Sequence, residues 1–139
     1  MKFFKQRCAY SCGPIAIMNV CKALKLPVKY KDINFYRDLV NCTNEGTYSN
    51  DMIYGLCQLF YSKIVKKVDF DNDSILIIEY CRHPGWHYTV VFKEKRNKWR
   101  VINGEYQRRG KRAKTVLNDK EIKHWLSREV KCIVVKEVL

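Results

Sequence analysis

Cys12 stands immediately before Gly13-Pro14 and a nearly unbroken apolar run from Ile15 to Leu26, so a thiol is placed where a buried helix begins. Main-chain N–H groups at a helix N-terminus lack intrahelical partners and carry the positive end of the dipole, and both effects favour a thiolate. Pro14 is tolerated in the first turn because no N–H is needed there, and Gly13 lets a substrate carbonyl approach the backbone closely. Gln6, upstream of the cysteine, supplies a side-chain amide that would form an oxyanion hole together with the Cys12 N–H. The chemistry these residues suggest is acyl transfer. A cysteine nucleophile needs a base, and the base needs a group that fixes its orientation. His87 opens the strand-like stretch Tyr88-Thr89-Val90-Val91-Phe92, directly after Pro84-Gly85-Trp86, and its ordinary pKa suits it to take a proton from Cys12. Asn103 closes the next strand-like stretch, Trp99 to Ile102, with an amide that could hydrogen-bond the imidazole. Singly, these read as a small core cysteine, a packed histidine and an Asn-Gly turn. Their order, each at the end of an element, is what points to one site.

Those elements follow from the pattern of apolar residues. Ile15, Ile17, Met18, Val20, Cys21 and Leu24 leave little polar face on a helix over residues 14–25, which must be buried and which Pro27 ends. A second short helix is predicted from Asp32 to Val40. A third starts at a Ser49 cap and carries Met52, Ile53, Leu56, Cys57, Leu59 and Phe60 at helical spacing. Residues 41–48 form a loop by composition. Beyond residue 63 the texture turns strand-like: 64–70, 75–80, 87–93 and 98–102, with a charged turn between the last two. Asp119 to Ser127 reads as a late helix capped by Asn118 or Asp119, with Ile122, Trp125 and Leu126 inward, and Lys131 to Lys136 as a closing strand. Helices followed by an antiparallel sheet make an α+β fold, a helical lobe packed on a sheet lobe.

The chain has 139 residues, 47% of them hydrophobic, enough for one domain spanning 1–139 with a substantial core. No apolar run reaches the length of about eighteen residues that a membrane helix requires, and residues 1–6 are too short and polar for a signal peptide. Seven cysteines, an odd number without a disulfide framework, suit reduced thiols in a cytoplasm. The net charge of +13 favours acidic partners. It concentrates in Lys93–Arg100 and in Arg108–Lys114, both of which read as solvated turn charge, and no phosphate loop, RNA-binding aromatic signature or zinc-finger spacing accompanies them. Nucleic acid is thus the less favoured partner and an acidic one the more favoured.

The ordered set Gln6, Ser11-Cys12-Gly13-Pro14-Ile15-Ala16, Gly85-Trp86-His87-Tyr88-Thr89-Val90-Val91 and Val101-Ile102-Asn103-Gly104 resembles papain-like cysteine peptidases, nearest the bacteriocin-processing (double-glycine leader) peptidase family. The resemblance runs over nearly the whole chain and includes the Glu45-Gly46-Thr47 loop and the late helix with Trp125-Leu126. It implies a papain-like fold, a peptidase without a cofactor, Cys12 as nucleophile, His87 as base, Asn103 as the orienting third member and Gln6 as the oxyanion-hole amide. Two positions depart from the family pattern: Ser11 replaces an acidic residue before the nucleophile, and Asn103-Gly104 stands for Asp-Pro. The absence of a transporter span or ATP-binding domain suggests a stand-alone, monomeric protein. Two readings of other classes compete. Cys8, Cys12, His83 and His87 would make a Cys2His2 zinc set, although its two pairs are far apart in sequence. A catalytically silent module could instead use the groove to grip a peptide, or the basic loops to hold an acidic partner or nucleic acid.

Overall fold

The computed structural model describes residues 2–82 and 85–139. Helix α1 spans Cys12–Ala23 and buries every residue from Cys12 to Cys21. It starts two residues before the expected boundary, so Cys12 is itself the first helical residue. It ends not at Pro27 but where Lys25 takes a left-handed φ of 60°, with its N–H on the Lys22 carbonyl and that of Leu26 on the Cys21 carbonyl. A 3₁₀ turn, Tyr30–Asp32, leads into α2, Ile33–Leu39. Helix α3, Ser49–Leu59, begins after Tyr48; Ser49 is its first residue rather than its cap, because the serine hydroxyl is used elsewhere.

Helix α3 runs straight into strand β1, Phe60–Val65, followed by β2 (Ile75–Arg82), β3 (Gly85–Lys95), β4 (Lys98–Ile102), the short β5 (Val116–Leu117), α4 (Asp119–Leu126) and β6 (Lys131–Val138). The strand expected over 64–70 lies earlier. Asp69 and Asp73 take main-chain N–H groups of Asp71 and Asp69 on their side chains, at 3.1 and 2.9 Å, and so curl the later residues into a turn. All strand pairs are antiparallel, in the order β1-β6-β2-β3-β4-β5. Leu76 lies opposite both Val91 and Val134, which fixes β2 between β3 and β6.

Alternation along the strands sends two apolar faces in opposite directions. Ile75, Ile77, Tyr88, Val90, Ile133 and Val135 pack with α1, Val40, Met52 and Leu56, while Leu76, Ile78, Val91, Trp99, Cys132 and Val134 pack with Ile122 and Trp125 of α4. The α+β fold holds as expected, and the late helix covers the second sheet face. Its capping box pairs Asn118 and Glu121, the Glu121 N–H lying 2.8 Å from Asn118 Oδ1.

Candidate active site

Helix α1 delivers Cys12 to the sheet at β3. The residue is 6% exposed and shares its cleft with His87 and Tyr88 of β3. Ser11 does not cap the helix with its side chain; its hydroxyl donates to the Cys8 carbonyl at 2.9 Å. The first-turn N–H groups of Cys12 and Gly13 are therefore left to the thiol and to whatever binds beside it. Burial raises the Cys12 pKa above the ordinary cysteine value, outweighing the N–H groups of Tyr88 and Gly13, which lower it. Burial thus acts against the thiolate that the helix terminus favours, and it is the larger of the two influences.

His87, third in β3 and 5% exposed, faces into the same cleft. Its Nε2 lies 2.5 Å from the Asn103 main-chain oxygen. A carbonyl only accepts, so Nε2 carries the proton and Nδ1 is left with the lone pair of a base. The Tyr80 ring, cross-strand from His87, meets the imidazole edge-on with centroids 5.6 Å apart. Arg82 Nη1 stands 3.2 Å from Nε2. Burial lowers the His87 pKa, Arg82 lowers it further, and the Asn103 carbonyl opposes both.

Asn103 follows β4 in the left-handed conformation, φ 56°, which asparagine tolerates. Its side chain does not reach His87, contrary to expectation. The amide donates to the Phe4 carbonyl at 2.7 Å and accepts the Gln6 N–H at 3.3 Å, tying down the N-terminal segment. Asn19, a buried polar residue on α1, holds the same segment through the Phe4 N–H (2.7 Å) and carbonyl (3.0 Å). Gln6 is brought to the cleft, but its amide donates to the carbonyls of Cys8 and Ala9, at 2.8 and 3.4 Å, rather than facing the thiol.

The cleft is open, about 1640 Å3, and brings Gln6, Cys12, His87 and Asn103 together. Exposed Trp86 and Tyr48 line it as aromatic walls. Gly13 is small for a different reason from the one expected. A Cβ there would lie 2.6 Å from Thr47 Oγ1, so the loop before α3, not a substrate carbonyl, occupies that space. The sequence reading gave no role to Thr47, named only as part of its loop, and missed Glu79. Thr47 accepts the Tyr88 hydroxyl on its carbonyl at 2.9 Å, fastening the loop to β3. Glu79, 8% exposed, faces Tyr88 across the β2–β3 pair and receives the Ser49 hydroxyl, 2.5 and 2.6 Å from its two oxygens. An apolar-flanked glutamate inside the run Ile75–Tyr80 was the available signal for it.

His83, a member of the proposed zinc set, lies outside the described residues. Among the described residues no three His, Cys, Asp or Glu side chains come together as a metal site. No helix among them is long and apolar enough to cross a membrane.

No family model matches the chain, and no curated protein does. Solved structures do. The peptidase domain of Streptococcus ComA, a bifunctional ABC transporter of a quorum-sensing pathway, superimposes with a TM-score of 0.65 at 16% identity over 98% of each chain. A double-glycine motif protease from an AMS/PCAT transporter, solved in complex with leader peptide, gives a TM-score of 0.64 at 14% identity, covering 98% of this chain and 91% of that one. The fold is that of double-glycine peptidase domains.

Proposed function

We propose that the protein is a cysteine peptidase in which Cys12 is the nucleophile and His87 the base, acting on a peptide laid along the cleft between Trp86 and Tyr48. The observation that carries this reading is the union of the first residue of α1 with the start of β3: buried Cys12 and buried His87 line one cleft, and the His87 Nε2 is occupied by the Asn103 main-chain oxygen. The proton passes from Sγ to Nδ1 as the substrate carbonyl arrives and water is displaced. Sulfur then bonds to the carbonyl carbon, and the oxyanion takes the Cys12 N–H. Imidazolium gives its proton to the leaving amine as the C–N bond breaks, and water later hydrolyses the thioester. Gln6 serves as second oxyanion donor if its amide exchanges the Cys8 and Ala9 carbonyls for the substrate. Asn103 acts through its main chain.

The substrate class follows from the structural neighbours, a leader-bound double-glycine protease among them, and from the net charge of +13: peptides with a double-glycine motif in an acidic context. The reading takes 1–139 as one domain acting as a monomer in a reducing cytoplasm, in keeping with its seven free cysteines. Incubation with acidic and neutral double-glycine peptides, followed by mass spectrometry, tests it. Cleavage that Cys12→Ala abolishes supports the peptidase; no cleavage, together with no capture of a peptide chloromethyl ketone at Cys12, overturns it. Peptide binding without turnover would favour the silent module.

A further inference from the structure

A second basin, about 410 Å3, lies apart from the cleft where the basic loop meets α4, and Tyr106, Arg108, Lys114, Lys120, Glu121 and His124 line it. Tyr106 is 1% exposed, yet its hydroxyl has no hydrogen-bond partner among the described residues, and neither has the buried Nε of Arg108. Native structures seldom leave one buried donor unmatched, and here two unmatched donors belong to residues that line one basin. The loop that carries them is built rather than loose. Tyr106 and Lys114 exchange main-chain hydrogen bonds at 2.8 and 2.9 Å, Gln107 reaches the Lys111 carbonyl at 2.8 Å, and Arg128 from beyond α4 donates to the Gln107 carbonyl at 2.5 Å. The Tyr106 ring is packed on Trp125 with centroids 5.4 Å apart, and the guanidinium groups of Arg108 and Arg128 lie 6.0 and 5.1 Å from its centre.

The charge of the region has one sign. Between Tyr106 and Arg128 there are eight Lys and Arg against Asp119 and Glu121. Both acids are engaged: Asp119 accepts the Trp99 indole N–H at 2.7 Å, and Glu121 pairs with Lys114 at 2.6 Å and accepts the Asn118 N–H at 3.1 Å. Among the described residues no carboxylate lies within ion-pair distance of Arg108 or Lys120. A ligand here must accept from a phenol and a guanidinium and bring negative charge, and it must offer more than two acceptor oxygens to use Lys120 as well. We propose that this basin is a binding site for a single phosphate group, either free or carried in a nucleic-acid backbone. It is independent of the peptidase chemistry.

The test is calorimetric titration of the wild type with sodium phosphate against sodium chloride at matched ionic strength, repeated on Tyr106→Phe and Arg108→Gln, with a single-stranded oligonucleotide as a second ligand. The wild type is expected to bind phosphate saturably, and each variant to bind roughly tenfold more weakly, the loss of about one charge-assisted hydrogen bond. Tyr106→Phe should keep its melting temperature, since the hydroxyl it removes satisfies nothing in the free protein. Oligonucleotide binding that phosphate competes away and Tyr106→Phe weakens would identify a backbone phosphate as the source; phosphate binding without oligonucleotide binding would identify the free anion. No phosphate binding beyond chloride, or equal binding by both variants, overturns the proposal, as does oligonucleotide binding indifferent to Tyr106→Phe.

Discussion

His87 Nε2 is held at 2.5 Å by the main-chain oxygen of Asn103, while the Asn103 side chain turns away to Phe4 and Gln6. One residue thus performs two separable tasks, orienting the base through its backbone and anchoring the N-terminal segment through its amide.

Replacing Asn103 by Ala should remove the anchor and keep the orientation. Two part-buried hydrogen bonds are lost, so stability should fall by about 1–3 kcal/mol. Turnover per folded molecule should change less than about tenfold, against losses of about a hundredfold or more for His87→Ala. Denaturant unfolding and peptide cleavage, measured on both variants, separate the two tasks. A collapse of turnover in a folded Asn103→Ala protein would contradict the division.

Arg82 should tune the base. Its guanidinium, 3.2 Å from His87 Nε2, disfavours a second positive charge, so Arg82→Met should raise the His87 pKa. NMR titration of the imidazole reads the change directly. An unmoved or lowered midpoint would remove Arg82 from the electrostatics of the site.

Stability should be greatest between about pH 6.5 and 9 and decline on both sides for reasons located in the site. His87 has a folded pKa below its ordinary 6.5, so the unfolded chain binds a proton first as pH falls, and the stability it contributes is lost as pH drops through the folded value. Cys12 has a folded pKa above the ordinary 9.0, so the unfolded chain loses its proton first as pH rises, and that stability is lost toward the folded value. Cys132, pushed up to about 12 by burial, adds to the alkaline limb. Urea midpoints across pH, repeated on Cys12→Ala, should show a shallower alkaline decline in the variant.

In the free protein, exposed Cys57 and Cys81 should alkylate before Cys12 at neutral pH. Peptide mapping after brief iodoacetamide treatment checks the order. Preferential labelling of Cys12 would mean that the thiolate is preformed, against the direction burial imposes.

Gly13→Ala should cost about 1–3 kcal/mol, because its Cβ would meet Thr47 Oγ1 at 2.6 Å and Thr47 Cβ at 2.9 Å. Adding Thr47→Gly should restore part of that loss, and the double-mutant cycle measures the coupling.

The short continuous apolar runs of Ile75–Tyr80 and Tyr88–Phe92 and the continuous apolar face of α1 made the sheet and central helix legible, because burial on both faces writes itself into residue type. The sheet order was not legible, since which strands pair depends on contacts remote in sequence. The strand over 64–70 was misplaced because the side chains of Asp69 and Asp73 compete for the backbone there. At the site, Cys12, His87, Asn103 and Gln6 do share one cleft, but the hydrogen bonds of Asn103 and Gln6 are set by the N-terminal segment packed beside them. Asn19 carried a signal that went unused: a lone amide in a buried helix has to satisfy something, and here it satisfies both polar groups of Phe4.

Strand β6, last in chain order, lies inside the sheet between β1 and β2. Until it arrives, β2 has one open edge, and its apolar residues Ile75 to Ile78 stand beside unpaired N–H and carbonyl groups. That edge is a ready template for pairing with another chain, and closing it requires contacts between segments remote in sequence, the slow kind. Kinetic competition between β6 docking and intermolecular strand pairing should therefore set the folding yield, with refolding losses that grow with protein concentration.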